Sequence, residues 1–377
     1  MTASQQGRVG DVLLGAVGAL ALELPEEELQ RAAAARERLA LPWSAKACVV
    51  LVDGLGWHNL VDRSRSAPFL SAADRLGSVR TTFPSTTATN ITYLGTGWEG
   101  GRTRMLGYSV RAWGRKAVNL VSWNGPVEPE QWQSEPTIFE HLSAAGHTGV
   151  SVGPWRFADS GLTRAAWRGG EYAAADSLRE RVDTALAELR DPVVDVVYLY
   201  WGELDALGHR SGSGAPEWSE LLARTDAELD RLARLLPPGV LLLVTADHGM
   251  VDVPMTDRTD IADDDRLMRD VELVAGEPRA VHLYCRPGRA DEVARRYREV
   301  LGECADVLLR EDVVDSGMIG PVSDAAQQVV GDVVVIARGS HAVLDSRSQS
   351  RASLQLVGMH GATTEVEMQV PLVVVQG

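Results

Sequence analysis

Cysteine is scarce in this sequence, and the thiols are far apart along the chain. The 377 residues contain three cysteines, Cys48, Cys285 and Cys304. Three scattered thiols do not form a disulfide framework, and their spacing does not match a thiolate metal site. The scarcity favours a reducing compartment, so we expect a cytoplasmic protein.

Basic residues are also in the minority. Lys and Arg number 37 against 52 Asp and Glu, which gives a formal net charge of −15. This balance argues against a protein that binds nucleic-acid polymers, because such proteins present a basic face. The net negative charge would also repel small anions, unless bound cations reverse the charge around the binding site.

Long hydrophobic runs are absent, and no stretch reaches the roughly 20 apolar residues that a membrane helix needs. Residues 11–25, DVLLGAVGALALELP, come nearest to a targeting signal. Asp11 leads this stretch and Arg8 is the only basic residue close by, whereas a signal peptide begins with a clearly positive region. The pattern therefore predicts an amphipathic first helix and no membrane partner.

The sequence does contain a series of short apolar runs separated by helical patterns. The helical stretches repeat apolar residues at spacings of three and four, as in SLRERVDTALAELR. Alternating strands and helices predict an α/β fold, and uninterrupted apolar runs predict strands buried on both faces of a parallel sheet. The predicted strands are residues 47–53, 193–201, 239–247, 331–337 and 370–375.

The regular alternation breaks between residues 257 and 345. This segment mixes an acidic loop, a strand-like PRAVHLYC and a helical ADEVARRYREVLG. We predict a small α+β lobe at 257–345, inserted into a main α/β part that is formed by residues 1–256 and 346–377.

Six aspartates and histidines follow the predicted strands or lie in loops beside them. In open α/β sheets, ligands bind beyond the carboxyl ends of the strands. Taken singly, such residues have ordinary explanations, such as a helix cap or a solvated pair on one helix face. Together, three carboxylates and three imidazoles without thiolates suit Zn²⁺, with Mn²⁺ as a competitor, and six ligands suit two ions. The six residues are Asp53, Asp205, His209, Asp247, His248 and His360.

A hydroxyl-rich stretch, TTFPSTTATN at residues 81–90, is the second unusual feature. A polar loop is the ordinary explanation. The sharper hypothesis is that one hydroxyl is a nucleophile, activated by a nearby dication. Pro84 predicts that a helix begins at that point, because proline favours the first helical position.

These motifs together resemble a known family. The ordered landmarks VDG, TFPS, DxxxH, ADHG and HG run from about Val49 to Leu372. They are similar to those of the alkaline phosphatase superfamily, in particular its nucleotide pyrophosphatase/phosphodiesterase branch and the compact bacterial members of that branch. The resemblance implies an alkaline-phosphatase-like layered α/β/α fold, with a central, mostly parallel sheet and a small α+β inserted lobe.

The resemblance also implies a reaction and its residues. The substrate would be a small molecule, a nucleotide among the options, whose phosphodiester or phosphoanhydride bond is hydrolysed through a phosphothreonine intermediate. One zinc ion is assigned to Asp205, His209 and His360. The second zinc ion is assigned to Asp53, Asp247, His248 and the nucleophile, Thr82, which stands two residues before a proline.

This chain departs from the family at the positions that usually bind the non-bridging phosphate oxygens, so the resemblance does not assign that role to a single residue. The candidates are the backbone amide of Phe83 and the side chains of Asn90, Arg104 and Tyr108. Arg102 and Arg104 keep a phosphomonoesterase open as a second function, since a guanidinium suits a phosphate dianion. A phosphonate hydrolase of the same superfamily and a non-catalytic metal-binding module also stay open.

Overall fold

The computed structural model describes residues 7–72, 76–112, 116–123 and 126–377. The strands are β1 Lys46–Val52, β2 Leu76–Arg80, β3 Ser109–Arg111, β4 Ala117–Asn119, β5 Thr148–Gly153, β6 Glu171–Ala174, β7 Val194–Trp201, β8 Val240–Thr245, β9 Val251–Asp252, β10 Arg258–Asp260, β11 Val271–Glu277, β12 Ala280–Cys285, β13 Ala305–Leu309, β14 Val333–Ala337, β15 Ala342–Leu344, β16 Gly358–Met359 and β17 Gln369–Gln376.

The α-helices are α1 Gly10–Gly18, α2 Glu26–Arg38, α3 Trp57–Asp62, α4 Thr87–Thr96, α5 Gly100–Thr103, α6 Pro129–Trp132, α7 Ile138–Ala144, α8 Gly161–Ala166, α9 Leu178–Arg190, α10 Glu203–Ser211, α11 Pro216–Arg234, α12 Asp265–Met268, α13 Ala290–Leu301, α14 Arg310–Asp315, α15 Asp324–Gln327, α16 Arg351–Leu354 and α17 Glu365–Met368. Helix α9 begins where its sequence indicates, because Ser177 and Glu180 form a capping box at its start.

A seven-stranded sheet forms the centre of the molecule, in the order β2-β17-β8-β1-β7-β5-β6. Strand β1 pairs in parallel with both β7 and β8, and its side chains from Ala47 to Val52 are buried. Helices such as α1 and α9 pack against these strands. The predicted α/β fold with a mostly parallel central sheet is confirmed.

The last predicted strand lies in this sheet but runs the other way. Residues 370–375 belong to β17, which is antiparallel to both of its neighbours, β8 and β2. An apolar run predicts that a strand is buried in a sheet, but it does not predict whether the strand runs parallel or antiparallel to its neighbours. The expectation of a parallel strand here was therefore wrong.

The predicted strand at 331–337 does not join the central sheet at all. It is β14, which lies in a separate antiparallel sheet of order β11-β12-β14-β13. Val333 and Val335 pack in the lobe's own hydrophobic cluster, whereas Val334 and Ile336 pack in the main cluster. Both faces of this strand are buried, which explains why the run reads like a central strand.

The two ends of the 257–345 segment meet each other. Strand β10 near its start pairs with β15 near its end, with Arg258 opposite Ala342. The four-stranded sheet lies between them along the chain. We keep 257–345 as the proposed limits of the lobe, whose sheet contributes residues to the main hydrophobic cluster.

Helix α1 differs from its amphipathic prediction, because all nine of its residues are buried. It packs against α2 and α4, and Asp11 is paired with Arg38 of α2. The apolar stretch therefore serves the core. Within the described ranges, none of the helices combines the length and apolarity required to cross a bilayer.

Candidate metal centre

Two strand ends in the middle of the sheet bring the first three candidate ligands together. Asp53 follows β1, and Asp247 and His248 follow β8, which is the parallel neighbour of β1. All three side chains are buried. The Nε2 atom of His248 lies 3.3 Å from Oδ1 of Asp53 and 3.4 Å from Oδ2 of Asp247. One potential ligand atom from each residue lies within 4.8 Å of the other two.

The second group comes from the other neighbour of β1. Strand β7 leads into α10, where Asp205 and His209 lie four residues apart on one face, and His360 follows β16. Nε2 of His209 lies 3.4 Å from Oδ2 of Asp205, and Nε2 of His360 lies 4.0 Å from Oδ1 of Asp205. These three residues also place ligand atoms within 4.8 Å of one another. The structure thus groups the six predicted ligands into the two sets that the resemblance implied.

The three imidazoles are oriented by the backbone. In each ring, Nδ1 lies at hydrogen-bonding distance from a main-chain carbonyl oxygen, so that Nδ1–H donates and Nε2 is left as the ligand atom. The pairs are His209 with Gly358 at 2.8 Å, His360 with Ser85 at 2.9 Å and His248 with Gly249 at 3.1 Å.

In Asp53 and Asp247, one carboxylate oxygen accepts hydrogen bonds from the protein and the other is left as a potential metal ligand. Asp53 accepts the Tyr200 hydroxyl at 2.6 Å through Oδ2, and Asp247 accepts the backbone amides of Gly54 and His248 through Oδ1. Their other oxygens, and Oδ1 of Asp205, are buried without a hydrogen-bond partner in the described part of the chain. Unpartnered buried carboxylate oxygens are costly unless a cation binds them.

The pKa values reflect the same crowding of charge. Burial raises the pKa of Asp205 to about 6 and also raises that of Asp247, which lies near Asp53. Burial alone would lower the pKa of His248, but the carboxylates of Asp247 and Asp53 outweigh it and raise this pKa to about 10. The rings of His248 and His360 stack with centroids 3.5 Å apart, so the two sets adjoin. The residues present therefore fit a pair of dications.

The hydroxyl beside these sets is that of Thr87, not Thr82. Oγ1 of Thr87 lies 3.2 Å from Nε2 of His248, and Thr87 lines the pocket over the candidate ligands. Oγ1 of Thr82 instead donates to the carbonyl oxygen of Met318 at 3.3 Å. Thr82 does not occur among the described residues that line the pocket. The geometry therefore places Thr87, and not the predicted Thr82, where a nucleophile would have to lie.

The position of the helix start explains the difference. Helix α4 begins at Thr87 with Thr86 as its N-cap, three residues later than Pro84 predicted. Residues 82–86 form a loop that the Asn90 side chain holds from inside the helix. Its Oδ1 accepts the amide of Thr82, and its Nδ2 donates to carbonyl oxygens of the same loop.

This arrangement changes the roles of two predicted substrate-binding residues. Asn90 is fully buried, and its side-chain hydrogen bonds all serve the loop. Phe83 is 1% exposed and packs in the main hydrophobic cluster. Neither residue lies in the pocket lining, so both support the loop that precedes Thr87.

The arginines proposed for phosphate binding have other partners. Arg102 pairs with Glu135 and stacks over Trp98. Arg104 donates to the carbonyl oxygen of Gln131. Of the four predicted substrate-binding residues, Tyr108 alone lines the pocket, with 48% of its surface exposed.

The pocket has a volume of about 730 Å³ and two kinds of lining. We call the lining residues from the main part, including Thr87 and His360, the core wall. We call those from the 257–345 segment, including Glu277, the lobe wall. Burial raises the pKa of the Glu277 carboxyl to about 8. The sequence analysis did not select Glu277, Tyr200 or Thr87 as site residues. Of these three, only Thr87 lies in a sequence feature that could have identified it, the hydroxyl-rich stretch at residues 81–90.

Fold and site together define an α/β protein with two adjacent candidate metal sites beside a threonine at a helix start. The chain belongs to the type I phosphodiesterase / nucleotide pyrophosphatase family, whose model matches residues 47–363. The resemblance to this branch of the alkaline phosphatase superfamily is confirmed.

Curated relatives match over shorter stretches. Human ectonucleotide pyrophosphatase/phosphodiesterase family member 7 is 35% identical over 87 residues, which are 22% of this chain and 19% of that protein. The phosphopentomutase of Sinorhizobium fredii is 35% identical over 118 residues, which are 30% of this chain and 27% of that protein. The matches thus span less than a third of the length of either relative.

Solved structures match over most of the chain. The murine ectonucleotide pyrophosphatase / phosphodiesterase 5, an inactive variant in complex with AMP, has a TM-score of 0.68 at 19% identity, with 87% of each chain covered. Phosphonoacetate hydrolase from Sinorhizobium meliloti, in complex with phosphonoformate, has a TM-score of 0.65 at 20% identity, with 88% of this chain and 90% of that chain covered. At these identities the likeness establishes a shared fold.

Proposed function

We propose that the protein is a metal-dependent phosphodiesterase or nucleotide pyrophosphatase, with Thr87 as its nucleophile and a small-molecule phosphoester as its substrate. The observation that carries the proposal is the position of the Thr87 hydroxyl, 3.2 Å from Nε2 of a candidate metal ligand in an open pocket. A structural metal site has a closed ligand shell, whereas here a reactive group and free volume adjoin the ligands. This favours a catalytic protein over a metal-binding module.

Two Zn²⁺ ions, or Mn²⁺ in their place, would lower the pKa of the threonine hydroxyl and stabilise charge on the leaving oxygen. Asp53, Asp247 and His248 are the proposed ligands of the ion beside Thr87. The proposed ligands of the other ion are Asp205, His209 and His360.

The residues of the chain supply position and hydrogen bonds. Thr87 Oγ1 gives up its proton to solvent and attacks phosphorus, and the leaving group departs with the electrons of the broken ester or anhydride bond. The substituted phosphoryl group stays on the threonine until water attacks the same phosphorus, releases the phosphate ester and returns a proton to Oγ1. Thr87 is the first residue of α4, and the first N–H groups of any helix lack intrahelical partners. These amides suit the non-bridging phosphoryl oxygens. Asn90 fixes the loop before Thr87 and so holds the hydroxyl in place.

A phosphomonoesterase has less support than a diesterase. A phosphate dianion calls for an additional positive group, and a guanidinium is the usual choice. Arg102 and Arg104 are engaged with Glu135 and Gln131, and neither lines the pocket among the described residues. We therefore propose diesters and anhydrides, rather than monoesters, as substrates.

The test compares two threonines five positions apart. Thr87→Ala should lower turnover of bis-p-nitrophenyl phosphate by about 10³-fold or more, because it removes the nucleophile, whereas Thr82→Ala should retain turnover within about 10-fold. Metal content, measured by elemental analysis, should stay unchanged in both variants. Acid-quenched wild-type reactions should carry a p-nitrophenylphosphoryl group on Thr87, read by peptide mass spectrometry.

Two outcomes would count against the proposal. Full turnover in Thr87→Ala would exclude Thr87 as nucleophile. A large loss in Thr82→Ala, with the fold and metal content intact, would return the role to Thr82.

A further inference from the structure

One serine joins the loop before Thr87 to the loop that carries His360. Ser85 is fully buried, and its amide donates to the carbonyl oxygen of Gly361 at 3.2 Å. Its hydroxyl donates to the carbonyl oxygen of Ala362 at 2.7 Å and accepts the amide of Gly361 at 3.2 Å. Its carbonyl oxygen accepts Nδ1–H of His360 at 2.9 Å. The amide, the hydroxyl and the carbonyl group of Ser85 are thus all bonded to the second loop.

No other residue of the first loop makes this connection. All hydrogen bonds between residues 82–86 and 360–364, both of which the structure describes, involve Ser85. The Asn90 side chain holds the first loop from inside α4, and Glu367 accepts the amide of Ala362 in the second loop. Each of these supports serves one loop, whereas Ser85 serves both.

The bonds of Ser85 lead directly to two groups of the candidate site. Ser85 stands two residues before Thr87, whose hydroxyl lies 3.2 Å from Nε2 of His248. The bond from the His360 ring to the Ser85 carbonyl oxygen leaves Nε2 of that ring as the ligand atom. A displacement of Ser85 would therefore move the proposed nucleophile and one candidate ligand relative to each other.

The Ser85 hydroxyl is the part of this contact that a substitution can remove. Without it, the N–H of Gly361 and the C=O of Ala362 would be left without the hydrogen bonds they have in the described structure, and both residues are buried. Buried backbone groups without partners are costly, so we expect the second loop to shift. Because His360 directly precedes Gly361, such a shift moves the imidazole.

We propose that Ser85 is a positioning residue, which sets the position of the Thr87 hydroxyl relative to the ion proposed for Asp205, His209 and His360. We call this ion the second ion. The Ser85 hydroxyl fixes the backbone that follows His360, and the Ser85 carbonyl oxygen orients the ring. The inference rests on the proposed function, and it adds a residue that contacts neither substrate nor ion.

Ser85→Ala tests the hydroxyl and leaves the backbone bonds available. For bis-p-nitrophenyl phosphate, kcat should fall about 10- to 100-fold while KM stays within about 3-fold, because the reacting groups are displaced and substrate contacts are kept. Competition with a chelator should show an affinity for the second ion that is about 10- to 100-fold lower. His209→Ala, which lacks a ligand of the second ion, identifies which of the two ions is weakened.

Thr137→Ala is the matched control. Thr137 is also fully buried, and its hydroxyl likewise donates to a carbonyl oxygen, that of Arg168, and accepts a backbone amide, that of Glu140. It precedes α7 and is not among the described residues that line the pocket. Thr137→Ala should lower stability and leave kcat and ion affinity unchanged. Equal falls of kcat and ion affinity in both variants would indicate general destabilisation and overturn the inference.

Hydrogen exchange gives a second test, which decides if Ser85→Ala does not fold. In zinc-loaded His209→Ala, peptides that cover residues 82–87 and 358–364 should both exchange at least about 5-fold faster than in the zinc-loaded wild-type protein, because the same hydrogen bonds protect both loops. Faster exchange in residues 358–364 with unchanged exchange in residues 82–87 would overturn the inference.

The inference and the proposed function fail in different ways. Ion affinity and hydrogen exchange are measured without turnover. Absence of p-nitrophenolate release by the wild-type protein, together with a weakened second ion in Ser85→Ala, would refute the proposed function and support the inference. Wild-type ion affinity and kcat in a folded Ser85→Ala variant would overturn the inference and leave the proposed hydrolysis intact.

Discussion

The core wall and the lobe wall of the pocket are built in different ways. On the core wall, the candidate ligands lie at strand ends or in the helix and loop next to them, and Asp53, His209 and His360 are each oriented by Tyr200 or by a backbone carbonyl oxygen. The lobe wall consists of aliphatic side chains and Glu277, whose Oε1 has no partner in the described structure. The edge of the central sheet thus positions the groups suited to chemistry, while the 257–345 segment contributes a largely apolar part of the pocket lining.

One buried ion pair joins the two regions. Arg279 of the lobe and Glu367 of the main part are both fully buried, and two of the Arg279 nitrogens bond to the carboxylate at 2.7 and 2.8 Å. Glu367 also accepts the amide of Ala362, two residues after His360. The pair therefore links the lobe to the loop that carries one candidate ligand.

Of the substitutions that test the difference between the two walls, we expect the largest effect from breaking the Arg279–Glu367 ion pair. Arg279→Met should lower the free energy of unfolding by about 3–5 kcal/mol, because it leaves the Glu367 carboxylate buried without its partner. Urea denaturation followed by circular dichroism measures the change. A loss under about 1 kcal/mol would mean that the two regions are joined mainly by their hydrophobic contacts.

A double variant provides the control. Arg279→Met combined with Glu367→Leu removes both charges, so part of the lost stability should return. An unfolding free energy as low as that of the single variant would show that the unpaired charge is not the cause.

An intermediate effect is expected on the core wall at Tyr200. Tyr200→Phe removes the hydrogen bond at 2.6 Å to Oδ2 of Asp53 and leaves the ring in place. Loss of such a supporting partner typically lowers metal affinity or activity about 10- to 100-fold. Competition with a chelator should show this loss for the ion that Asp53 would hold.

Tyr198 provides a matched control on the same strand. Its hydroxyl is buried without a hydrogen-bond partner in the described structure, and its ring stacks on Trp167. Tyr198→Phe should therefore leave metal affinity unchanged. Equal losses in both variants would indicate a general packing effect rather than support of Asp53.

The smallest effect is expected outside both walls, at Arg102. Its pairing with Glu135 is partly exposed to solvent, with side-chain exposures of 35% and 23%. Such pairs contribute about 0–1 kcal/mol. Arg102→Ala should change the unfolding free energy within that range and leave the ratio of diester to monoester turnover unaltered. A marked fall in monoester turnover alone would revive the phosphomonoesterase hypothesis.

The candidate ligands could be predicted because their chemistry and their place along the chain agree. Asp53 and Asp247 directly follow apolar runs, and apolar runs buried in a sheet are easily recognised. His360 has no such run before it, and it was grouped with Asp205 and His209 through the family resemblance. The structure places it there because β16 pairs with β9, the short strand after His248.

The nucleophile shows where local patterns fail. Thr82 and Thr87 lie in the same hydroxyl-rich stretch, and Pro84 favoured a helix start close to Thr82. The chain instead continues as a loop to Thr86, held by hydrogen bonds from Asn90, and only Thr87 opens the helix. Thr82 and Thr87 are five positions apart, and the position of the helix start determines which of their hydroxyls faces His248. The hydrogen bonds from the Asn90 side chain that fix this position cannot be inferred from the spacing of Ser and Thr in the sequence.

The sequence by itself determined the α/β class, the candidate ligands and the family, because each depends on local composition or on ordered motifs. The tertiary structure alone decided that β17 runs antiparallel, that β14 belongs to the lobe, that Thr87 faces the ligands and that Glu277 reaches the pocket. These features depend on contacts between segments that are distant in the chain or on where a helix begins. An apolar run or a carboxyl group at the end of such a run can be recognised in the sequence. Which residues lie beside it depends on how distant segments pack together.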